Sequence, residues 1–396
     1  ESLPAQPKTT AALGNADWNW IVPELRLALV TLPDEAELPS LPRLVDAEQS
    51  RALLETALRA ASPVYADLQL ESCTPRVVRY KPGSRCTILY DLVYPPGANA
   101  DGRWPDLVAV KTYKGNKGRN AYEGMRSLWD SPFRTDSHVT IAEPLAYVAE
   151  LNAFIQGPLR EQQALKDVIR SAVQLGTPEA LAELGDLMRK TARGLAALHS
   201  SGLRFGTETT WADEFGDLEE TCEQLSSVVP TLNDTLASLT RFLSRRAADA
   251  AADPLVTTHG SFRPAQVLLY EEQLSFIDFD SVGLAEPALD LALFLTATKN
   301  IGLSEPHEEE SNEDDTALEP AERERILNQL DGIGEEFLRE YERHAPISRT
   351  RLEVWEGLNL LALVVSCWTK IKPVRLANTL LMLERYLERV GGLRAA

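Results

Sequence analysis

At 396 residues and a formal net charge of −19, the chain exceeds one typical domain, and a composition 44% hydrophobic and 25% charged is that of a globular protein. With no Lys/Arg-rich run and no basic patch interleaved with aromatics, the negative balance speaks against nucleic acid held by phosphate neutralisation. The four cysteines, Cys73, Cys86, Cys222 and Cys367, are scattered without a CxxC pair, so neither a zinc site nor a disulfide framework is indicated and a reducing, cytoplasmic setting is expected.

Glu1–Gly14 lacks a basic region followed by an apolar core, and the longest apolar run, Leu360–Val365, is too short to span a bilayer, so no membrane partner is expected. A polar Pro/Thr/Ala-rich tail over 1–16 precedes a predicted helix at Asp46–Ala60, whose Leu and Ala spacing begins behind an Asp46 cap. From Arg76 the pattern changes. Val77–Tyr80, Cys86–Tyr94 and Leu107–Tyr113 predict a small antiparallel sheet, with Lys81–Arg85 as its first turn and Pro95–Pro105 as a longer loop. Asn120–Trp129 has helical spacing, Pro144–Ala149 reads as another strand, and Gly157-Pro158 punctuates the chain as a hinge.

Beyond the hinge, helices are predicted over Glu179–His199, Asp217–Val228, Leu232–Ala250, Glu319–Arg343, Arg351–Lys370 and Val374–Val390. They are interrupted by an acidic loop at about 303–318, read as a solvated segment, and by one apolar hairpin at 258–280. The expectation is an α+β chain with a β-rich N-lobe over 17–150 and a large helical C-lobe over 151–396. In the hairpin, His259-Gly260 opens a tight turn, Gln266 follows at loop spacing, Val267–Leu269 reads as a buried strand and Phe276–Asp280 as its partner. The apolar strands then hold two polar tips side by side.

These segments resemble the aminoglycoside phosphotransferase and choline kinase-like family, distant relatives of protein kinases, over roughly Arg76 to Leu295. The family signature runs His-Gly-Asp, one residue, His, two residues, Asn; then Ile-Asp-Phe/Trp-Glu/Asp; then Gly-Asp-Pro-x-x-Asp-Leu-Ala. Here the chain reads His259-Gly260-Ser261-Phe262-Arg263-Pro264-Ala265-Gln266, then Ile277-Asp278-Phe279-Asp280, then Ala285-Glu286-Pro287-Ala288-Leu289-Asp290-Leu291-Ala292. Order and spacing hold, while three polar identities in the catalytic loop differ.

The resemblance implies a bilobal protein-kinase-like fold, ATP and Mg2+ as cofactors, and phosphoryl transfer to a hydroxyl of a small molecule. It assigns Asp278 to the metal and Gln266 to the second metal position, on a stem one methylene longer than the usual Asn. Asp280 is either a further ligand or the polar flank of the turn, and Asp290 either braces the catalytic loop or is an ordinary first-turn residue. Lys111, behind the run Leu107–Val110, matches the lysine that contacts the α/β-phosphates, with Glu123 on the next helix as its ion-pair partner. His259 shapes the turn. Arg263 adds a fixed cation that neutralises developing charge, contacts an acidic substrate, or pairs with the acidic exterior.

Ser261 stands where the family carries its aspartate base, facing substrate. A neutral hydroxyl cannot take up the acceptor's proton as a carboxylate does, and losing a general base costs about 10²–10⁴-fold. A loose phosphoryl-transfer transition state nevertheless depends chiefly on positioning and electrostatics. Two readings stand: an atypical kinase of a small hydroxylated molecule, or a nucleotide-binding pseudokinase or protein-interaction partner without turnover. In this family the acceptor is held by variable C-lobe helices, here Trp211–Leu225 and Val354–Trp368, where Trp355 and Trp368 either line that pocket or pack the core.

Overall fold

The computed structural model describes residues 20–22, 27–29, 37–136, 138–304 and 318–391; the expected tail over 1–16 and most of the acidic loop lie outside them. In chain order the strands are β1 (Trp20–Val22), β2 (Leu27–Leu29), β3 (Ser72–Lys81), β4 (Arg85–Val93), β5 (Leu107–Tyr113), β6 (Val139–Ile141), β7 (Pro144–Val148), β8 (Ala153–Gln156), β9 (Gln163–Ala164), β10 (Val256–Thr258), β11 (Val267–Tyr270), β12 (Gln273–Phe276) and β13 (Gly283–Ala285). The helices are α1 (Leu41–Val45), α2 (Ala47–Ala61), α3 (Lys117–Trp129), α4 (Phe133–Asp136), α5 (Leu165–Leu175), α6 (Pro178–His199), α7 (Trp211–Val228), α8 (Asn233–Ala248), α9 (Pro287–Gly302), α10 (Pro320–Glu342), α11 (Arg349–Thr369) and α12 (Pro373–Arg389). The chain divides into two compact units, one formed by Glu1–Arg119 with Leu145–Gly157, the other by Asn120–Pro144 with Pro158–Ala396.

The first unit is built on a five-stranded sheet in the order β3-β4-β5-β8-β7. Alternation sets its faces: Cys86, Ile88, Tyr90 and Leu92 of β4 and Val108 and Val110 of β5 are buried, as the period of two in a half-covered strand requires. They pack with Leu41, Leu44, Leu54 and Leu58 of α1 and α2 in one core. The helices are fixed locally. Asp46 caps α2 by accepting from the Gln49 N–H at 2.8 Å, and the Ser40 and Thr112 hydroxyls join α1 to β5 at 3.0 Å. Lys111, one residue from both Val110 and Thr112, therefore points to the face opposite α1 and α2.

The second unit is helical around a small sheet in the order β6-β12-β11-β9, where β12 pairs in parallel with β6 and antiparallel with β11. Proline occupies the first turn of α6, α9, α10 and α12, where its missing N–H is not needed and its fixed φ favours the helix. Thr210 and Asp213 form a capping box that starts α7 at Trp211, six residues ahead of the expected Asp217. Neither α5 nor α9 was among the predicted helices; α9 is buried nearly all round and so shows no amphipathic period.

The division departs from the boundary expected after Glu150. β8 pairs with β5 through Val110↔Ile155 and Lys111↔Phe154, which keeps it with the first unit to Gly157. Conversely, Asn120–Pro144 joins the helical unit because Gly124 of α3 sits against Val282 and Phe205, where a Cβ would come within 2.4 Å and 2.7 Å of their side chains, and β6 pairs with β12. The hairpin differs as well. Strand pairing stops at Phe276, so 277–280 forms a turn and not the rest of a strand.

By length and composition α11 could cross a membrane, yet half of its most apolar window is buried inside the protein. Near its start Arg351 is buried and bidentate on Glu286, at 2.7 Å and 2.5 Å, and its remaining nitrogen donates to the Ala250 carbonyl at 3.3 Å. Glu286, just ahead of α9, also accepts from the Asp253 N–H at 3.0 Å. Removing one partner strands a buried charge. Arg351→Ala is therefore expected to lower unfolding free energy by about 3–5 kcal/mol in urea titrations; a loss below about 1 kcal/mol, the range of an exposed pair, would contradict the account.

Candidate active site

The loop from His259 to Gln266 is shaped by one carboxylate. Asp290, fully buried in the first turn of α9, accepts from three main-chain N–H groups: His259 at 2.6 Å, Gly260 at 2.9 Å and Phe262 at 3.4 Å. Its Oδ2 lies 3.1 Å from His199 Nε2, and His199 Nδ1 lies 2.7 Å from the Tyr341 hydroxyl. Since a carboxylate only accepts, His199 donates through Nε2, and in that neutral tautomer its Nδ1 accepts a hydrogen bond from the Tyr341 hydroxyl. His199 and Tyr341 were not legible as site residues, because a lone His at a helix end and a lone Tyr within a helix carry no motif. Asp290 is thus a brace of the loop.

Gly260 has φ +76°, and a Cβ there would stand 2.1 Å from the Ser281 carbonyl oxygen, so the loop touches the turn after β12 with backbone alone. His259 ties the same two segments. Its Nε2 donates to the Ile277 carbonyl at 2.9 Å, and its ring packs at a tilt against Phe279 with centroids 4.6 Å apart. The Ile277 N–H in turn donates to the Gln266 carbonyl at 3.0 Å. One residue on, Asp278 adopts the left-handed region at φ 69° and ψ 48°, which Asp tolerates better than most side chains, and a 3-10 turn over Phe279–Ser281 follows. Ile277 is therefore the node that sets Gln266 beside Asp278.

Gln266 closes the loop on itself. Its Oε1 accepts from the Arg263 N–H at 2.8 Å and its Nε2 approaches the Ser261 hydroxyl at 3.5 Å. The amide oxygen keeps a second lone pair. Arg263 is solvent-exposed, yet desolvation by the surrounding loop and the neighbouring Arg375 lower its pKa from the arginine range, while Asp278 acts the other way. The side chain stays charged throughout. Of the sequence-derived candidates, His259, Ser261, Arg263, Gln266 and Asp278 thus share one loop-and-turn assembly. Lys111 lies on β5 of the first unit and Glu123 on an exposed position of α3 in the second. The Lys81–Arg85 segment is a tight turn with Gly83 at φ +66°. Trp355 is fully buried core, whereas Trp368 is 43% exposed.

Among the described residues no group of three or more His, Cys, Asp or Glu side chains is placed to enclose a metal. Mg2+ does not need one: it takes hard oxygen donors, commonly one or two protein ligands with the rest from phosphates and water. An Asp278 carboxylate and the spare lone pair of the Gln266 amide fit that requirement.

Burial holds the His259 pKa below its ordinary 6.5, against the opposing pull of Asp290, the Ile277 carbonyl, Asp278 and Asp280. Below pH 6.5 the unfolded chain binds a proton that the folded His259 refuses, so stability falls as pH drops from about 6.5 towards the depressed folded value. Above 6.5 the group is neutral in both states and contributes no slope. Urea unfolding of the wild type and His259→Gln between pH 7.5 and 5.5 should therefore show the variant missing up to about 1.4 kcal/mol per pH unit of the acid-side loss; parallel profiles would contradict a neutral buried His259.

The family model described as the phosphotransferase enzyme family matches residues 133–346. No curated protein sequence matches the chain. Solved structures of similar fold include a glucosamine kinase in complex with glucosamine, ADP and inorganic phosphate, at 15% identity and TM-score 0.53, covering 81% of this chain and 82% of that one. A choline kinase from Cryptosporidium parvum superposes at TM-score 0.54 and 10% identity over 86% of this chain and 97% of its own. A thermostable mutant of the aminoglycoside phosphotransferase APH(4)-Ia does so at TM-score 0.52 and 13% identity, over 81% and 97%. At these identities the likeness concerns the fold, which is the α+β kinase-like one expected from sequence.

Proposed function

The chain belongs to the phosphotransferase enzyme family, and on that premise we propose that it transfers the terminal phosphoryl group of ATP, with Mg2+, to a hydroxyl of a small molecule. The observation that carries this reading is the paired hairpin, whose Ile277 is bonded to both Gln266 and His259 and so keeps Asp278 and the loop of Ser261 in one assembly. Asp278 and Gln266 would hold the metal, which supplies charge neutralisation on the nucleotide phosphates when bound. Arg263 adds a positive charge that needs no proton. Lys111 is assigned to the nucleotide phosphates on the family pattern alone. Since one structure of similar fold holds ADP, inorganic phosphate and glucosamine, the architecture is one that accommodates a nucleotide with a small hydroxylated acceptor.

Ser261 favours a second reading, in which the protein binds nucleotide without turnover. Its hydroxyl can donate to or accept from an acceptor hydroxyl, but it does not hold the acceptor's proton. We place the protein in a reducing compartment, the cytoplasm, since its four cysteines are buried and none forms a disulfide.

Thermal melts with millimolar Mg-ATP are expected to raise the wild-type Tm, a saturation of 100 Kd giving about 2.7 kcal/mol, and Asp278→Asn should lose most of that gain. No shift in the wild type would remove both readings. Ser261→Asp restores a base and is expected to raise nucleotide turnover by about 10²-fold or more, followed as ADP release with a panel of hydroxylated acceptors; a fall in turnover would instead make the serine part of the working mechanism.

A further inference from the structure

Of the 59 Asp and Glu residues in the chain, none falls between Glu356 and Glu384, a stretch that holds Lys370, Lys372 and Arg375, and none between Asp253 and Glu271, which holds Arg263. Both stretches belong to the helical unit. One is the catalytic loop with its flanks, and the other runs from the later part of α11 into the first half of α12.

α9 brings the two together. Phe262 stacks on Phe294 of α9 with centroids 5.1 Å apart, which sets Arg263 beside that helix. Six residues further along α9, about 9 Å at 1.5 Å per residue, Asn300 Nδ2 reaches the Thr379 hydroxyl at 3.5 Å, and the Asn378 amide donates to the Leu303 carbonyl at 3.1 Å. The Thr379 hydroxyl in turn donates to the Arg375 carbonyl at 2.7 Å, so Arg375 stands one helical turn from this contact. The two guanidinium groups feel each other: after desolvation, Arg375 is the next cause that lowers the Arg263 pKa.

Neither arginine is neutralised. Among the described residues Arg263, Lys372 and Arg375 have no ion-pair partner and all three are exposed, while Lys370 donates to the Ser366 hydroxyl at 2.9 Å. Pairing with the acidic exterior is therefore not the role of Arg263. Like charges side by side repel, and an anionic ligand removes that repulsion whereas a cationic one adds to it. The guanidinium fork matches the paired oxygens of a carboxylate or a phosphate. Arg375 lies on the helix that follows Val354–Trp368, the segment to which the family pattern assigns the acceptor, so the anion is ascribed to the acceptor and not to the nucleotide.

We propose that the acceptor is an acidic hydroxylated molecule, its carboxylate or phosphate held between Arg263 and Arg375, with Lys372 adding to the positive field. This rests on the phosphotransferase reading of the loop and narrows it to one class of acceptor. Four six-carbon sugars of similar size test it: glucuronate and glucose 6-phosphate are acidic, glucose is neutral and glucosamine is cationic. Each is titrated calorimetrically and in thermal melts into the full chain saturated with Mg-ADP, so that a phosphate cannot simply enter the nucleotide site. The Tm rise given by Mg-ADP alone reports on the phosphotransferase reading, and the further rise given by a sugar reports on the arginine pair. Without a Mg-ADP shift that reading falls, and the same sugars still score the pair on the free chain.

Glucuronate, glucose 6-phosphate or both are expected to bind at least about 10-fold more tightly than glucose, with glucosamine weakest; which acidic sugar prevails separates carboxylate from phosphate recognition. Arg375→Gln, at an exposed position, should cost about 10-fold in affinity for the acidic sugar with Mg-ADP unaffected, and Arg375→Lys should recover part of the loss. The proposal is overturned if glucose or glucosamine binds as well as the acidic sugars, or if neither acidic sugar gives heat or a Tm shift at millimolar concentration. It is equally overturned if Arg375→Gln weakens Mg-ADP as much as the acidic sugar, which would give the pair to the nucleotide phosphates, or if it binds the acidic sugar as the wild type does, which would mark an adventitious anion only.

Discussion

The Asp290 carboxylate is the constraint from which the loop geometry follows. Its two oxygens accept from the amides of His259, Gly260 and Phe262 and from His199. Charge-assisted bonds of this kind, in a fully buried setting, are worth more than their surface counterparts and are costly to leave half made. They are set by α9, which begins at Pro287 and is clamped just upstream by the Glu286–Arg351 pair. The loop is thereby referred to the helical core and not to solvent.

A second set of contacts hangs on that brace. Gly260 lies against Ser281 with no room for a side chain, His259 bonds to Ile277, and Ile277 bonds to Gln266. The left-handed backbone at Asp278 follows from this closure, because the chain must leave β12 sharply to meet the loop. Strain of this kind persists where the surroundings over-determine it, as they do here. The hydrophobic packing of Phe262 against Phe276 and Phe294, at centroid distances of 4.7 Å and 5.1 Å, seals the underside of the assembly.

Much of this was legible from residue order. The alternation in β4 and β5, the Asp46 cap and the helical spacing of α6, α8, α10, α11 and α12 are local signals, and they gave elements close to those found. The catalytic-loop pattern led to the bracing Asp290 through family resemblance, since a single carboxylate has no local signature of bracing. What escaped depends on contacts far apart in sequence. His199 meets Asp290 across 91 residues and Tyr341 meets His199 across 142, and α9 hides its helical period by being buried on nearly all sides. The assignment of α3 to the helical unit rests on Gly124 meeting Val282, a pairing no periodicity encodes.

Because Asp290 grips the loop by its peptide groups and not by its side chains, the path of the loop does not depend on what residues 261 and 263 carry. A serine and an arginine can stand there without moving the backbone, and a glutamine can cap the turn from position 266. Architecture and reactive chemistry are in that sense written in separate layers of this polypeptide. Divergence can rewrite the upper layer by single codon changes while the lower one, made of main-chain amides, goes on folding as before.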